Sequence, residues 1–135
     1  MQTNNPEINI NTLYLTKPGE YIPVLIIKPQ NEKVHANLHV QFVEATKGYH
    51  KINFDVFNNH GNDLTADKGP IEVDLQPNKK NILELQIDDY KSLMGDIALD
   101  FWAEISKGDN DFITVKITFD EKFSESLKVF IESES

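Results

Sequence analysis

Apolar residues recur at every second position through five stretches of this chain. They are Ile71-Glu72-Val73-Asp74-Leu75, Leu83-Glu84-Leu85-Gln86-Ile87, Ile97-Ala98-Leu99-Asp100-Phe101, Ile113-Thr114-Val115-Lys116-Ile117 and Leu127-Lys128-Val129-Phe130-Ile131. Strand side chains point to opposite faces in turn, so a period of two predicts strands with one buried and one solvated face. Extended to weaker patterns, the reading gives nine strands, near 10–15, 21–28, 34–45, 49–57, 70–76, 81–87, 96–106, 112–119 and 127–132. Gly19, Gly48, Gly61, Gly69, Gly95 and Gly108 are assigned to the breaks between them. Pro23 alone interrupts a strand, and it has no N–H for a ladder bond. Segment 21–28 is therefore expected at a sheet edge, or bulged. One short helical turn is expected near 89–94, capped by Asp88-Asp89 and stopped by Gly95.

Nine short strands joined by tight turns predict an all-β fold, an antiparallel two-sheet β-sandwich, with a barrel as the alternative. Residues 10–132 are expected to form a single domain between flexible ends at 1–9 and 133–135. Requiring inward faces to coincide predicts three hairpins. One pairs Ala45 with Tyr49 around Thr46-Lys47-Gly48. A second pairs Leu75 with Leu83 around Asn78-Lys79-Lys80. The third pairs Ile105 with Ile113 around Lys107 to Asp111.

Composition narrows the function classes. The chain has no cysteine, which excludes disulfides, thiolate chemistry and cysteine-ligated zinc. Its longest apolar run, Ile22 to Ile27, contains Pro23 and is too short to span a bilayer. The first residues lack the pattern of a signal peptide, so a cytoplasmic location is expected, with a phage-particle or cropped secreted domain as the alternative. The formal net charge is −9, and all 13 basic residues are lysine. That balance argues against nucleic-acid and anionic-membrane partners, which need a positive footprint.

Candidate chemistry is sparse. In the first of those hairpins His39 faces Asp55, and with His35 the three offer a weak divalent-metal group. His35 and His39 are roughly 13 Å apart along a strand, too far to share an ion unless it bends. Asp63, Asp67, Asp109 and Asp111 lie in loops that can offer oxygen ligands to calcium, although Asn, Asp and Gly also serve ordinary turns. Neither a nucleophile elbow nor a phosphate-cradling loop is present. The remaining signal is aromatic. Trp102, Phe130 and Phe57 take the outward parity of their strands, and the third hairpin places Lys116 opposite Trp102.

The turn Asn58 to Asp63, followed by a Val-x-Leu strand, resembles a group of small bacterial sandwich proteins of unknown role. The strand pattern as a whole is similar to immunoglobulin-type and fibronectin-type sandwiches, without the cysteine pair of antibody domains. Such a likeness implies a fold and no activity. The function expected from these residues is a non-enzymatic interaction domain. It binds a protein partner or itself through Trp102, Phe130 and Phe57, with Lys116 beside the first, and needs no cofactor. A carbohydrate- or calcium-binding module is the second expectation, and a metal-dependent enzyme at His35, His39 and Asp55 the third.

Overall fold

The computed structural model describes residues 6–65, 70–87, 90–105 and 111–132. Nine strands run in chain order: β1 (Asn9–Thr16), β2 (Ile26–Ile27), β3 (Lys33–Ala45), β4 (Gly48–Asn58), β5 (Ile71–Leu75), β6 (Ile82–Ile87), β7 (Tyr90–Glu104), β8 (Phe112–Phe119) and β9 (Phe123–Ile131). They form a four-stranded sheet in the order β1-β3-β7-β6 and a five-stranded sheet in the order β2-β9-β8-β4-β5. All pairings are antiparallel except β2 with β9. The all-β class and the strand number agree with the sequence pattern. Among the described residues there is no helix, and so none long and apolar enough to cross a membrane.

The inward halves of the strands meet in one buried cluster. Val34, Ala36, Leu38, Val40 and Phe42 of β3 contribute to it, as do Phe101 and Ala103 of β7, Ile52 and Val56 of β4, and Ile113 to Phe119 at alternate positions of β8. Phe54 of β4 and Phe101 of β7 bring their rings to 5.1 Å, joining the two sheets through the core. Each such ring removes about 150–250 Å2 from water, so this layer dominates the stability of the fold.

Several expectations need correction. None of the three hairpins forms. β3 and β4 lie in different sheets, as do β5 and β6, and β7 and β8. Matching inward parity demands only that two strands face the same core, and strands in opposite sheets meet that demand equally well. Sequence neighbours that do pair are β4–β5, β6–β7 and β8–β9. The helical turn is also absent, because Tyr90 to Met94 belong to β7 and pair with β6. Its proposed cap, Asp88-Asp89, lies outside the described residues. Gly95 does not end an element but sits within β7, opposite Ile82. Only Ile26 and Ile27 of segment 21–28 are strand. Leu83 and Leu85, read as inward, are exposed, while Ile82 is buried. The core also begins upstream of residue 10. Ile8 is buried, and Glu7 exchanges hydrogen bonds with Thr46, whose N–H donates to the Glu7 carbonyl at 2.9 Å.

Candidate functional site

The outer face of the four-stranded sheet carries most of the polar chemistry. β3 sends His35 and His39 outward, four residues apart, and β7 runs antiparallel beside it. His35 stacks on Trp102 with ring centroids 4.0 Å apart and planes within 9°. Its Nε2 lies 2.7 Å from Asp100 Oδ1, within hydrogen-bond distance. His39 repeats the arrangement one step along the sheet. It stacks on Tyr14 of β1 at 4.6 Å, and its Nδ1 lies 3.7 Å from Asp96 Oδ1. Each aspartate is the diagonal cross-strand neighbour of its histidine, so one register produces both pairs. His39 Nε2 also meets the Thr16 hydroxyl at 2.9 Å.

The Tyr14 hydroxyl donates to Asp96 Oδ2 at 3.3 Å. Partial burial raises the pKa of this phenol above its ordinary value, and the Asp96 charge and the hydrogen bond to it raise it further. A raised folded-state phenol contributes stability that is complete below the ordinary phenol value, about 10, and is lost as pH rises through the folded value. In an ultraviolet titration of phenolate formation, Tyr14 is therefore expected to ionise above free tyrosine. Asp96→Asn should move it back toward the ordinary value. An unchanged titration in that variant would contradict this assignment.

The sequence-predicted site residues are not gathered in one place. His35 and His39 lie on the four-stranded sheet and Asp55 on the five-stranded one, opposite Lys116. The proposed histidine–aspartate metal group is therefore not assembled. Among the described residues no three His, Asp or Glu side chains are grouped to hold a metal ion. Lys116 likewise pairs with Asp55 and Ser126, while Trp102 faces His35, so the expected Lys116–Trp102 contact is not formed. The two acidic loops do approach each other, since the Asp111 N–H donates to Asn59 Oδ1 at 3.3 Å. Asp63 is already engaged. Its Oδ1 accepts from the Thr65 N–H at 2.8 Å and the Thr65 hydroxyl at 2.6 Å, which is turn chemistry. Asp67 and Asp109 lie outside the described residues.

One constellation was not singled out from sequence. His50 is 1% exposed. Its Nε2 donates to the Thr46 carbonyl at 2.7 Å, with the Thr46 hydroxyl at 3.3 Å, and its Nδ1 lies 2.7 Å from Asp120 Oδ2, within hydrogen-bond distance. The residue types resemble a hydroxyl–imidazole–carboxylate relay. The geometry is structural instead, because a ring nitrogen that donates to a carbonyl has no lone pair to accept the hydroxyl proton. Asp120 is fixed on all sides. Its N–H donates to the Lys51 carbonyl at 2.7 Å, and its Oδ1 accepts from the Lys51 N–H at 3.0 Å. These bonds hold Asp120 and Glu121 at φ of 55° and 57°, the left-handed pair of a tight turn between β8 and β9. Lys51 pairs with Glu121 beyond them and lowers the pKa of its carboxyl, first through a hydrogen bond and then through charge. That pair is solvent-screened and contributes little.

An exposed apolar run lies elsewhere, where the chain leaves the edge of the four-stranded sheet, Val24 bridging Leu15 of β1, and joins the edge of the five-stranded one at β2. Tyr21, Ile22 and Leu25 are 92%, 75% and 74% exposed, and Ile26 beside them is exposed too. β2 pairs Ile26 with Phe130, which is 50% exposed. Phe130 meets Phe112 edge-on at 6.3 Å, and the Lys128 ammonium sits 3.9 Å from the Phe112 ring centre. Phe57 is apart from this ridge and half-buried, bridging to Asp63. Trp102, 54% exposed, is on the other sheet. The one sequence signal for the ridge was Pro23, which breaks a strand pattern that would otherwise have turned alternate residues inward.

No family model matches this chain, and no curated protein matches it significantly.

Proposed function

We propose that this chain is a non-enzymatic, immunoglobulin-like β-sandwich that associates with protein through the ridge Tyr21-Ile22-Leu25-Ile26-Phe130, a second copy being the simplest partner. The strand orders β1-β3-β7-β6 and β2-β9-β8-β4-β5 support the fold type, since immunoglobulin sandwiches place strands A, B, E and D in one sheet and C, F and G in the other. The observation that carries the functional reading is the ridge. A run of exposed Tyr, Ile and Leu beside an exposed Phe is the composition of an interface core, not of solvated surface. Pro23 and Pro29 flank β2 and remove ladder donors on either side of it. Open-ended strand addition is thereby disfavoured, and side chains are left to make the contact. A closed two-fold pairing of such a ridge buries the same residues on both copies.

Sedimentation velocity across a concentration series tests this reading. The unmodified chain is expected to shift from monomer to dimer as concentration rises. Ile22→Asp and Phe130→Asp are each expected to weaken that shift by tenfold or more, since a central interface residue contributes about 2 kcal/mol or above. Both should melt close to the parent temperature, because neither side chain is in the core. A monomer at every concentration, or variants that associate as strongly as the parent, would contradict the proposal.

A further inference from the structure

A recess of about 350 Å3 opens between the segment after β1, the turn joining β2 to β3, and the His35–Trp102 stack. Its wall carries Lys17, Lys28 and Lys33, together with Gln30, His35 and Trp102. No carboxylate of a described residue lines it, although acidic residues outnumber basic ones by 22 to 13 in the chain. None of the three lysines forms an ion pair with a described residue, unlike Lys47 and Lys51. Three ammonium groups thus line one small concavity in an acidic chain, with Glu104 opposite Lys33 and Asp100 beyond His35 standing at its border.

The recess is also built on rigid parts. Gln30 and Lys33 exchange backbone hydrogen bonds at 2.9 and 3.1 Å across a turn whose central residues, Asn31 and Glu32, sit at φ of 53° and 61°. That geometry is the two-residue hairpin turn, which fixes the positions from which Lys28 and Lys33 extend. Trp102 is held by His35 on one face, and His35 is held in turn by Asp100. Trp102 is still 54% exposed, and it borders both this recess and a neighbouring one lined by Lys33, Leu64 and Glu104. The volume is at the small end of ligand clefts, about 300–1,000 Å3.

We infer that this recess binds an anionic sugar, a pyranose ring bearing a carboxylate or a phosphate. The aromatic wall takes the apolar face of the ring, Gln30 takes hydroxyls, and the lysines neutralise the anion as point charges. The site lies on different residues from the association ridge and does not depend on it.

Trp102 is the only tryptophan in the chain, so intrinsic fluorescence reports this recess directly. The protein is titrated with galacturonate, glucose 6-phosphate, glucose and inorganic phosphate. The expected result is a saturable fluorescence change at millimolar or lower concentration with galacturonate or glucose 6-phosphate, and a response at least tenfold weaker with glucose and with phosphate alone. The stronger of the two acidic sugars identifies carboxylate or phosphate as the recognised anion. Binding should weaken with added salt. Lys28→Glu and Lys33→Glu, both on exposed side chains, are each expected to lower affinity by about tenfold while leaving the melting temperature near that of the parent. Equal responses to glucose and its acidic counterparts, no response to any of the four, or unchanged binding in both lysine variants would overturn the inference.

Discussion

His50→Ala is expected to lower the unfolding free energy by about 3 kcal/mol, read as a reduced urea midpoint with an unchanged slope. His50 of β4 ties the crossing at Thr46 to the β8–β9 turn at Asp120, just past the end of the β4–β8 ladder. The side chains of His50 and Asp120 are 0% and 11% exposed, so water does not replace the lost partners. Alanine would leave the Asp120 carboxylate with the Lys51 N–H as its remaining donor and the Thr46 carbonyl without the imidazole. Asp120→Asn is expected to cost a similar amount, because the carboxylate meets His50 and the Lys51 N–H with separate oxygens and the amide has only one acceptor oxygen. The double variant should cost little more than either alone, since both remove one shared interaction. Additive losses would show that the two residues act separately. A loss below about 1 kcal/mol in His50→Ala would show that the pair contributes no more than an ordinary hydrogen bond.

The second large effect is expected at Gly95→Ala. A Cβ built there lies 2.3 Å from the Asn81 carbonyl oxygen and 3.1 Å from the Ile82 Cα. Backbone atoms cannot rotate away, so β6 must separate from β7 at its first pair, Ile82 with Gly95. The Asn81 carbonyl accepts the Asp96 N–H at 3.1 Å, and that bond must stretch too. A cost of about 2–3 kcal/mol is expected from such overpacking, again measured by urea unfolding. Faster amide exchange should be concentrated at Ile82 and Asp96. An alanine variant as stable as the parent would contradict the close approach.

Gly95 also illustrates what was legible in the sequence. Read by itself, a glycine after Ser92-Leu93-Met94 looks like a helix stop. In the fold it is the strand position where a neighbouring backbone passes too closely for any side chain. Alternation located most strands within a residue or two, because burial on one face acts on each strand alone. Sheet membership was not legible, since Leu38 and Ile52 fill the same core whether they are hairpin partners or lie in opposite sheets. The outward parity of Trp102 and Phe130 follows from the pattern, and both are half-exposed. Their neighbours do not follow, because those depend on which strands pair. Trp102 thus meets His35 rather than Lys116, and Phe130 meets Ile26 and Phe112. The His50–Asp120 pair spans 70 residues, and nothing local marks it.

The association ridge is tested most directly by amide hydrogen exchange on the unmodified chain, at dilute and at concentrated protein. Slower exchange is expected in the concentrated sample at residues 21–27 and 128–131, with β3 and β7 unchanged. Equal exchange at both concentrations, or protection centred on β3 and β7 instead, would contradict the assignment of the ridge as the contact surface.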